Sequence, residues 1–566
     1  MEHLHPAFKH PAGGAHDHEL CEHVHPAHWR NPQPRNPYPL VVIGGGPAGL
    51  AAARKAASNG IKVALVERDL LGGNSLNFSS LPSKTLIRTA RLYADMRNAG
   101  HYGACPPEHI EVDFPQVMER LRRIRARISR VDSAPRLSAE GIDIFLGTAS
   151  FTSSHTLEVD GTRLHFRKAL IATGSRSMPP QIPGLAEAGY HTNETVFDLA
   201  ALPQDLLIIG GGPVGCELAQ ALARLGARVV ITHSQPLFLP KEERDAAQMV
   251  ADALARDGVE IHLNTKAMKV WVEDGKKCVQ TWNDGNVATI RVDEILTGIG
   301  RVPAVSGLGL DAAGIGYDVQ SGIHVDDFLR TSQRHIYAAG DVCMEHQFVD
   351  TATASARIAV HNALFFGRRR LSDLTIPWCT YTDPEIAHVG LYVRQARERG
   401  IPVITYTVPM HDVDRAVTDG EEDGFVKLHI RDGTDKILGA TVVARHAGEM
   451  INGITLAMVA GIGLKTVARV MHTYPTQADA IHMARHDVAT EPVVGAQGFF
   501  EINDAGRFQA AGLVQRFGGN IDGEVIFREL QRGGGHTGAV ERDAVAQAHI
   551  IKIARRCFNG ETLAMV

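Results

Sequence analysis

An apolar run, Pro39-Leu40-Val41-Val42-Ile43, leads into Gly44-Gly45-Gly46-Pro47-Ala48-Gly49. An Ala-rich helical stretch follows to about Asn59-Gly60, and a second apolar strand at 61–66 ends in Glu67. The succession returns at 206–209, Gly210-Gly211-Gly212-Pro213-Val214-Gly215, a helix to Gly226 and a strand at 228–231. This repeat constrains the fold more than any other feature of the chain. A glycine-rich turn between a buried strand and a helix lets the backbone approach a pyrophosphate, which the helix N-terminus stabilises. One such motif is weak; two in this context predict two βαβ units, each the start of a parallel sheet covered by helices.

A chain of 566 residues exceeds one core and suggests three or four domains. Its 44% hydrophobic and 21% charged content is that of a globular enzyme, and a net charge of −5 gives no reason to expect nucleic acid as a partner. Seven scattered cysteines without a CxxC pair indicate neither a disulfide framework nor a thiolate zinc site. No apolar run has the length of a membrane span and the first residues lack the regions of a secretory signal, so a cytoplasmic location is expected.

The expected organisation is α/β, with two doubly wound Rossmann-like nucleotide-binding domains and a third domain of α+β type. Residues 1–37 hold eight histidines among prolines and polar residues and read as a His-rich flexible tail, with weak metal binding as one option. The first nucleotide domain is assigned to 38–180 and 306–375, the second to 181–305 and the third to 376–490. In the third, strands at 424–430 and 436–443 precede a helix near 449–460. Residues 491–566, Gly-rich and then helical at about 541–556, form an extension of unknown role.

The two glycine motifs differ at the residue that reads the ribose. Glu67 ends its second strand, where a carboxylate accepts a 2′-hydroxyl. The equivalent position after Gly210 is His233, which cannot act as an anion; Thr232, Ser234, Lys241 and Arg244 around it suit a 2′-phosphate. NADPH is therefore expected at the second site, with NADH left open.

Further signatures follow in order: Ala172-Thr173-Gly174, Gly298-Ile299-Gly300-Arg301-Val302-Pro303, Ala338-Ala339-Gly340-Asp341-Val342, and Tyr381-Thr382-Asp383-Pro384-Glu385. With Gly44, Gly46, Gly49 and Glu67, they make residues 39–485 resemble the mercuric reductase and dihydrolipoamide dehydrogenase family of FAD-dependent pyridine nucleotide-disulfide oxidoreductases. The resemblance implies a homodimer, an FAD site that includes Gly73, Gly174, Gly340 and Asp341, an NAD(P)H site on Gly210, Gly212 and Gly215 beside His233, and Gly300 and Arg301 as further cofactor-binding residues. It implies a third domain that serves dimerisation. Lys84 and Glu217 match the family's ion pair beside the flavin N5.

The sequence departs from this pattern in the family's redox loop, Gly-Gly-x-Cys-(x)4-Cys-x-Pro-Ser-Lys. Here the loop runs Gly72-Gly73-Asn74-Ser75-Leu76-Asn77-Phe78-Ser79-Ser80-Leu81-Pro82-Ser83-Lys84, with Ser75 and Ser80 at the cysteine positions. A hydroxyl pair cannot take up electrons by thiol–disulfide exchange. The family's His-Pro-Thr-(x)2-Glu acid–base segment is replaced by Tyr474-Pro475-Thr476-Gln477-Ala478-Asp479, with His472 as a weaker base. An engineered serine trap would leave Asn74, Ser79, Tyr474 and Asp479 unexplained, so the departure reads as natural. Only Cys557 lies near the C-terminus, against the cysteine pair that mercuric reductases use. These residues lead to the expectation of an FAD-dependent NAD(P)H oxidoreductase that reduces a small acceptor, such as a quinone or metal ion, directly at the flavin. A soluble transhydrogenase and a low-turnover flavin- and metal-binding sensor are the alternatives.

Overall fold

The computed structural model describes residues 14–484 and the backbone of 500–502 and 508–510. Residues 1–13, most of the 491–566 extension, its expected helix at 541–556 and Cys557 lie outside the described residues. Residues 1–492 make one compact unit and 493–566 a second, in which Phe500–Ile502 pairs antiparallel with Phe508–Ala510.

The first nucleotide domain has a five-stranded parallel sheet in the order Ile336–Ala338, Ala169–Ile171, Leu40–Ile43, Val63–Glu67, Ile142–Leu146. Leu40–Ile43 is buried along its whole length, as a strand covered by helices on both faces must be. The helix Pro47–Ala57 begins with proline at its first turn, where no amide partner is lost, and its alanines permit close packing on the sheet. The second nucleotide domain repeats this plan with Val259–His262, Arg228–Thr232, Asp205–Ile209 and Glu294–Thr297, again all parallel. Each domain adds a three-stranded antiparallel sheet. The third carries five antiparallel strands, Pro377–Thr380, Glu385–Gly390, Ile437–Ala444, Phe425–Arg431 and Val403–Pro409, with the helix Ala447–Val459 on one face.

The expected flexible tail is corrected from Gly14 onward. Ala15–Val24 is a helix whose Leu20 and Val24, one turn apart, are fully buried in the core of the first domain. Asp17 accepts from Arg125 Nη2 at 2.9 Å, with both side chains almost wholly buried. Breaking such a pair is costly, because the surviving charge keeps its burial without compensation. Of the histidines among the described residues, His23 Nδ1 meets Ser129 Oγ at 2.8 Å, and His16 lies 3.5 Å from both Glu19 and Glu119. Among the described residues no three His, Cys, Asp or Glu side chains form a metal-ligand set. No described helix is long and apolar enough to cross a membrane.

Candidate functional site

A cleft of about 2170 Å³ runs between the three domains and is lined by both glycine loops, the serine loop and the start of the third domain. In the first loop two glycines answer to the chain's own packing. A Cβ on Gly44 would lie 2.3 Å from the Ala172 carbonyl oxygen, and one on Gly49 1.8 Å from that of Gly44. Gly46 is different: its nearest neighbour is Gly73 Cα at 3.8 Å, so space remains where a phosphate would approach. Glu67 receives the amides of Gly45 at 2.5 Å and Asp69 at 2.7 Å, while burial pushes its carboxyl upward.

At the other end of this subsite Gly174 has a positive φ of 72° and open space where a Cβ would stand. Gly340, φ 76°, packs against Ala48 and Ala352. The Asp341 carboxyl is raised by burial and accepts from Ser175 Oγ at 2.6 Å. Arg301 donates to Ser175 Oγ and O, both at 2.8 Å, and to Asn193 Oδ1 at 3.3 Å. Burial lowers its pKa. Asn74 donates to Ser175 O at 2.7 Å and Asn193 to Phe78 O at 3.1 Å, so this network also ties down the serine loop. The sequence reading missed Ser175 and Asn193; their role comes from convergence in space, and no local pattern marks them.

The second loop repeats the first. A Cβ on Gly210 would lie 2.4 Å from Gly298 O and one on Gly215 2.2 Å from Gly210 O, whereas nothing comes within 4 Å at Gly212. Gly300, with φ 119°, completes the turn opposite. His233 Nδ1 accepts the Gly211 amide at 3.3 Å, as Glu67 accepts that of Gly45. The proton of the neutral ring then sits on Nε2, which is buried, with the Leu237 backbone beside the ring, and burial lowers the imidazole pKa. Lys241 and Lys266 line the cleft beside it. Arg244 does not serve the nucleotide as expected: its guanidinium donates to the carbonyls of Phe238, Leu239 and Glu242 at 2.7–2.9 Å.

Lys84, in the first turns of the helix Ser80–Asn98, donates to Glu217 Oε2 at 2.7 Å. Glu217 comes from the helix Pro213–Arg224 of the second domain and is buried. Its other oxygen accepts the Tyr381 amide at 2.9 Å, and Lys84 Nζ lies 4.4 Å from the Tyr381 ring centre. Three domains thus meet at one ion pair. Behind Tyr381, Cys379 Sγ lies 3.9 Å from Glu385 Oε2, and burial pushes that carboxyl up to about 7. Ser75 and Ser80 both line the cleft, and neither hydroxyl makes a hydrogen bond among the described residues. Gly73, φ 55°, presses this loop against Gly46: a Cβ at Gly73 would stand 2.7 Å from Gly46 Cα.

Tyr474 and Asp479 are not brought to this cleft within one chain. Tyr474 is 69% exposed and donates to Asp414 Oδ2 at 2.8 Å; Asp479 sits 3.6 Å from His482 Nδ1. The hydrogen bond to Asp414 raises the phenol pKa. His472 lies beside His482, their rings 5.4 Å apart. Leu456, Val459, Val470 and Met471 of the same domain are exposed apolar side chains of the kind that dimers cover.

Comparison with known proteins agrees with this architecture. The sequence pattern of the pyridine nucleotide-disulphide oxidoreductases matches residues 38–360, and that of their dimerisation domain residues 376–485, which supports a homodimer. A mercuric reductase of Streptomyces lividans is 35% identical over 454 residues, covering 79% of this chain and 95% of that protein. A dihydrolipoyl dehydrogenase of Haloferax volcanii is 31% identical over 468 residues, covering 80% and 97%. Among solved structures, the HOCl-induced flavoprotein disulfide reductase RclA of Escherichia coli superposes with a TM-score of 0.70 at 29% identity, over 79% of this chain and 99% of that one. The chain belongs to the pyridine nucleotide-disulphide oxidoreductase family, whose members use FAD and NAD(P)H.

Proposed function

We propose that this protein is an FAD-dependent NAD(P)H oxidoreductase without a disulfide relay, delivering electrons directly to a small acceptor such as a quinone or a metal ion. The observation that carries this reading is the pair of hydroxyls, Ser75 and Ser80, in the cleft at the two positions where the family places thiols. FAD, when bound, supplies a site that accepts hydride from NAD(P)H and returns two electrons to an acceptor. Gly44, Gly46 and Gly49, Gly73 and Gly174, with Glu67, Gly340 and Asp341, would hold it. The residues fit, since Gly46 and Gly174 leave open the volume that a side chain would fill.

In this reading Lys84 holds a fixed positive charge where negative charge develops, and Glu217 with Tyr381 fixes its position. Gly210, Gly212 and Gly215 receive the pyrophosphate of the reductant. His233, neutral, carries no negative charge where an acidic residue would repel a 2′-phosphate, and Lys241 and Lys266 supply positive charge; NADPH is the favoured reductant, and NADH fits without them. Tyr474 and Asp479 complete the site of the second subunit. Residues 38–180 with 306–375 form the flavin domain, 181–305 the NAD(P)H domain and 376–490 the dimerisation domain. The unpaired cysteines of the described residues suit a reducing, cytoplasmic setting.

The test is NADPH oxidation by the flavin-loaded protein with a quinone, ferric and cupric ions, lipoamide and glutathione disulfide as acceptors. Turnover with the quinone or a metal ion and none with the disulfides is expected. Disulfide turnover at a comparable rate would overturn the reading.

A further inference from the structure

The loop that follows His233 does not rest on its own domain alone. Its residue Glu242 is buried and points away from the nucleotide domain into the third. There Oε2 accepts from Tyr392 Oη at 2.6 Å and Oε1 from Trp378 Nε1 at 3.2 Å. The Tyr392 ring is stacked on His388, 3.6 Å between centres, and Trp378 packs on the same His388 at 4.6 Å. The next residues are pinned across the same boundary: Lys427 donates to Glu243 at 3.2 Å and also pairs with Asp245, and His429 Nε2 lies 3.4 Å from Glu243. From within the loop, Arg244 clamps three carbonyls.

Between these anchors the backbone is strained. Leu239 is buried with φ 41°, a left-handed conformation that a leucine adopts only when its surroundings impose it. The segment so fixed, Leu239-Pro240-Lys241, lines the cleft beside His233, Ser234 and Gln235. Lys241 itself is exposed and has a long, flexible stem, so the ordering of its backbone is what keeps its charge over the ribose end of the site.

We propose that Tyr392 and Trp378, through Glu242, are positioning residues for nucleotide selection: they hold the Lys241 loop where it meets the 2′-phosphate of NADPH. The dimerisation domain thereby sets the nucleotide preference of its neighbour. This rests on the reading of NADPH as the favoured reductant, and the experiment separates the two. Calorimetry on the full-length, flavin-loaded protein would measure the Kd of adenosine 2′,5′-bisphosphate and of adenosine 5′-monophosphate.

The wild type is expected to bind the bisphosphate about tenfold or more tightly, as a charge-assisted contact implies. Tyr392→Phe and Trp378→Phe should each reduce that ratio about three- to fivefold while leaving the monophosphate Kd in place. Glu242→Gln, which keeps an acceptor oxygen, should fall between the wild type and Glu242→Ala. Lys241→Ala should remove most of the ratio, and Tyr392→Phe added to it should remove no more, because both act on one contact. A wild type that does not discriminate would sink the 2′-phosphate reading and the latch with it. Discrimination that survives both aromatic substitutions, or that multiplies in the double variant, would overturn the latch alone.

Discussion

Replacing Lys84 by methionine removes the cation from the ion pair that joins the three domains. Glu217 is then left 5% exposed with a single remaining donor, the Tyr381 amide at 2.9 Å. Stranding a buried charge costs about 3–5 kcal/mol when nothing compensates. The surviving amide contact, and the water that the vacated, one-third exposed Lys84 position admits, bring the expected loss to about 2–3 kcal/mol. The double variant Lys84→Met/Glu217→Gln removes the charge and should recover at least half of it. Chemical denaturation of the flavin-loaded proteins at matched concentration measures this. Stopped-flow absorbance, without oxygen, measures reduction of the flavin by NADPH in the same samples. If Lys84 stabilises developing charge, that rate falls about 100-fold in the single variant and stays low in the double variant, although stability returns. Recovery of the rate together with the stability would refute the functional role and leave a structural pair.

Other perturbations have equally definite outcomes. Gly212→Ala should fold with an unchanged melting temperature, since nothing lies within 4 Å of the new methyl, yet weaken NADPH binding about tenfold or more in calorimetry; Gly215→Ala, 2.2 Å from Gly210 O, should lower the melting temperature itself. Unfolded, Glu385 loses its proton near its ordinary 4.5, whereas the fold retains it to about 7, so this group costs stability progressively as pH rises between those values. Glu385→Gln should therefore gain about 2–3 kcal/mol over the wild type by pH 8 and nothing at pH 4, in urea titrations across that range; a difference independent of pH would contradict this. Asp341→Ala removes the acceptor of Ser175 and should yield protein with a reduced flavin-to-protein absorbance ratio after gel filtration.

Much of this was legible in the sequence for reasons of locality. Gly44 and Gly210 each close a turn within a few residues, so strand, glycines and helix announce themselves together. The helix Ala447–Val459 and the strands before it likewise follow from short-range patterns. The helix Ala15–Val24 escaped because it presents only Leu20, Val24 and part of Cys21 to the core, and its other anchor, Arg125, is distant in sequence. Ser175, Asn193 and Tyr392 act through partners gathered from several segments, so their types alone carry no signal. Arg244 shows the opposite error: a cation in the right sequence neighbourhood is consumed by backbone carbonyls.

The central claim is that no thiol pair stores electrons beside the flavin. An anaerobic titration of the flavin-loaded protein with NADPH tests it directly. One equivalent per flavin should complete the bleaching, without the long-wavelength band that a thiolate against the flavin produces, and Ser75→Cys/Ser80→Cys should raise the uptake to two equivalents. Uptake of two equivalents by the unaltered protein would contradict the account.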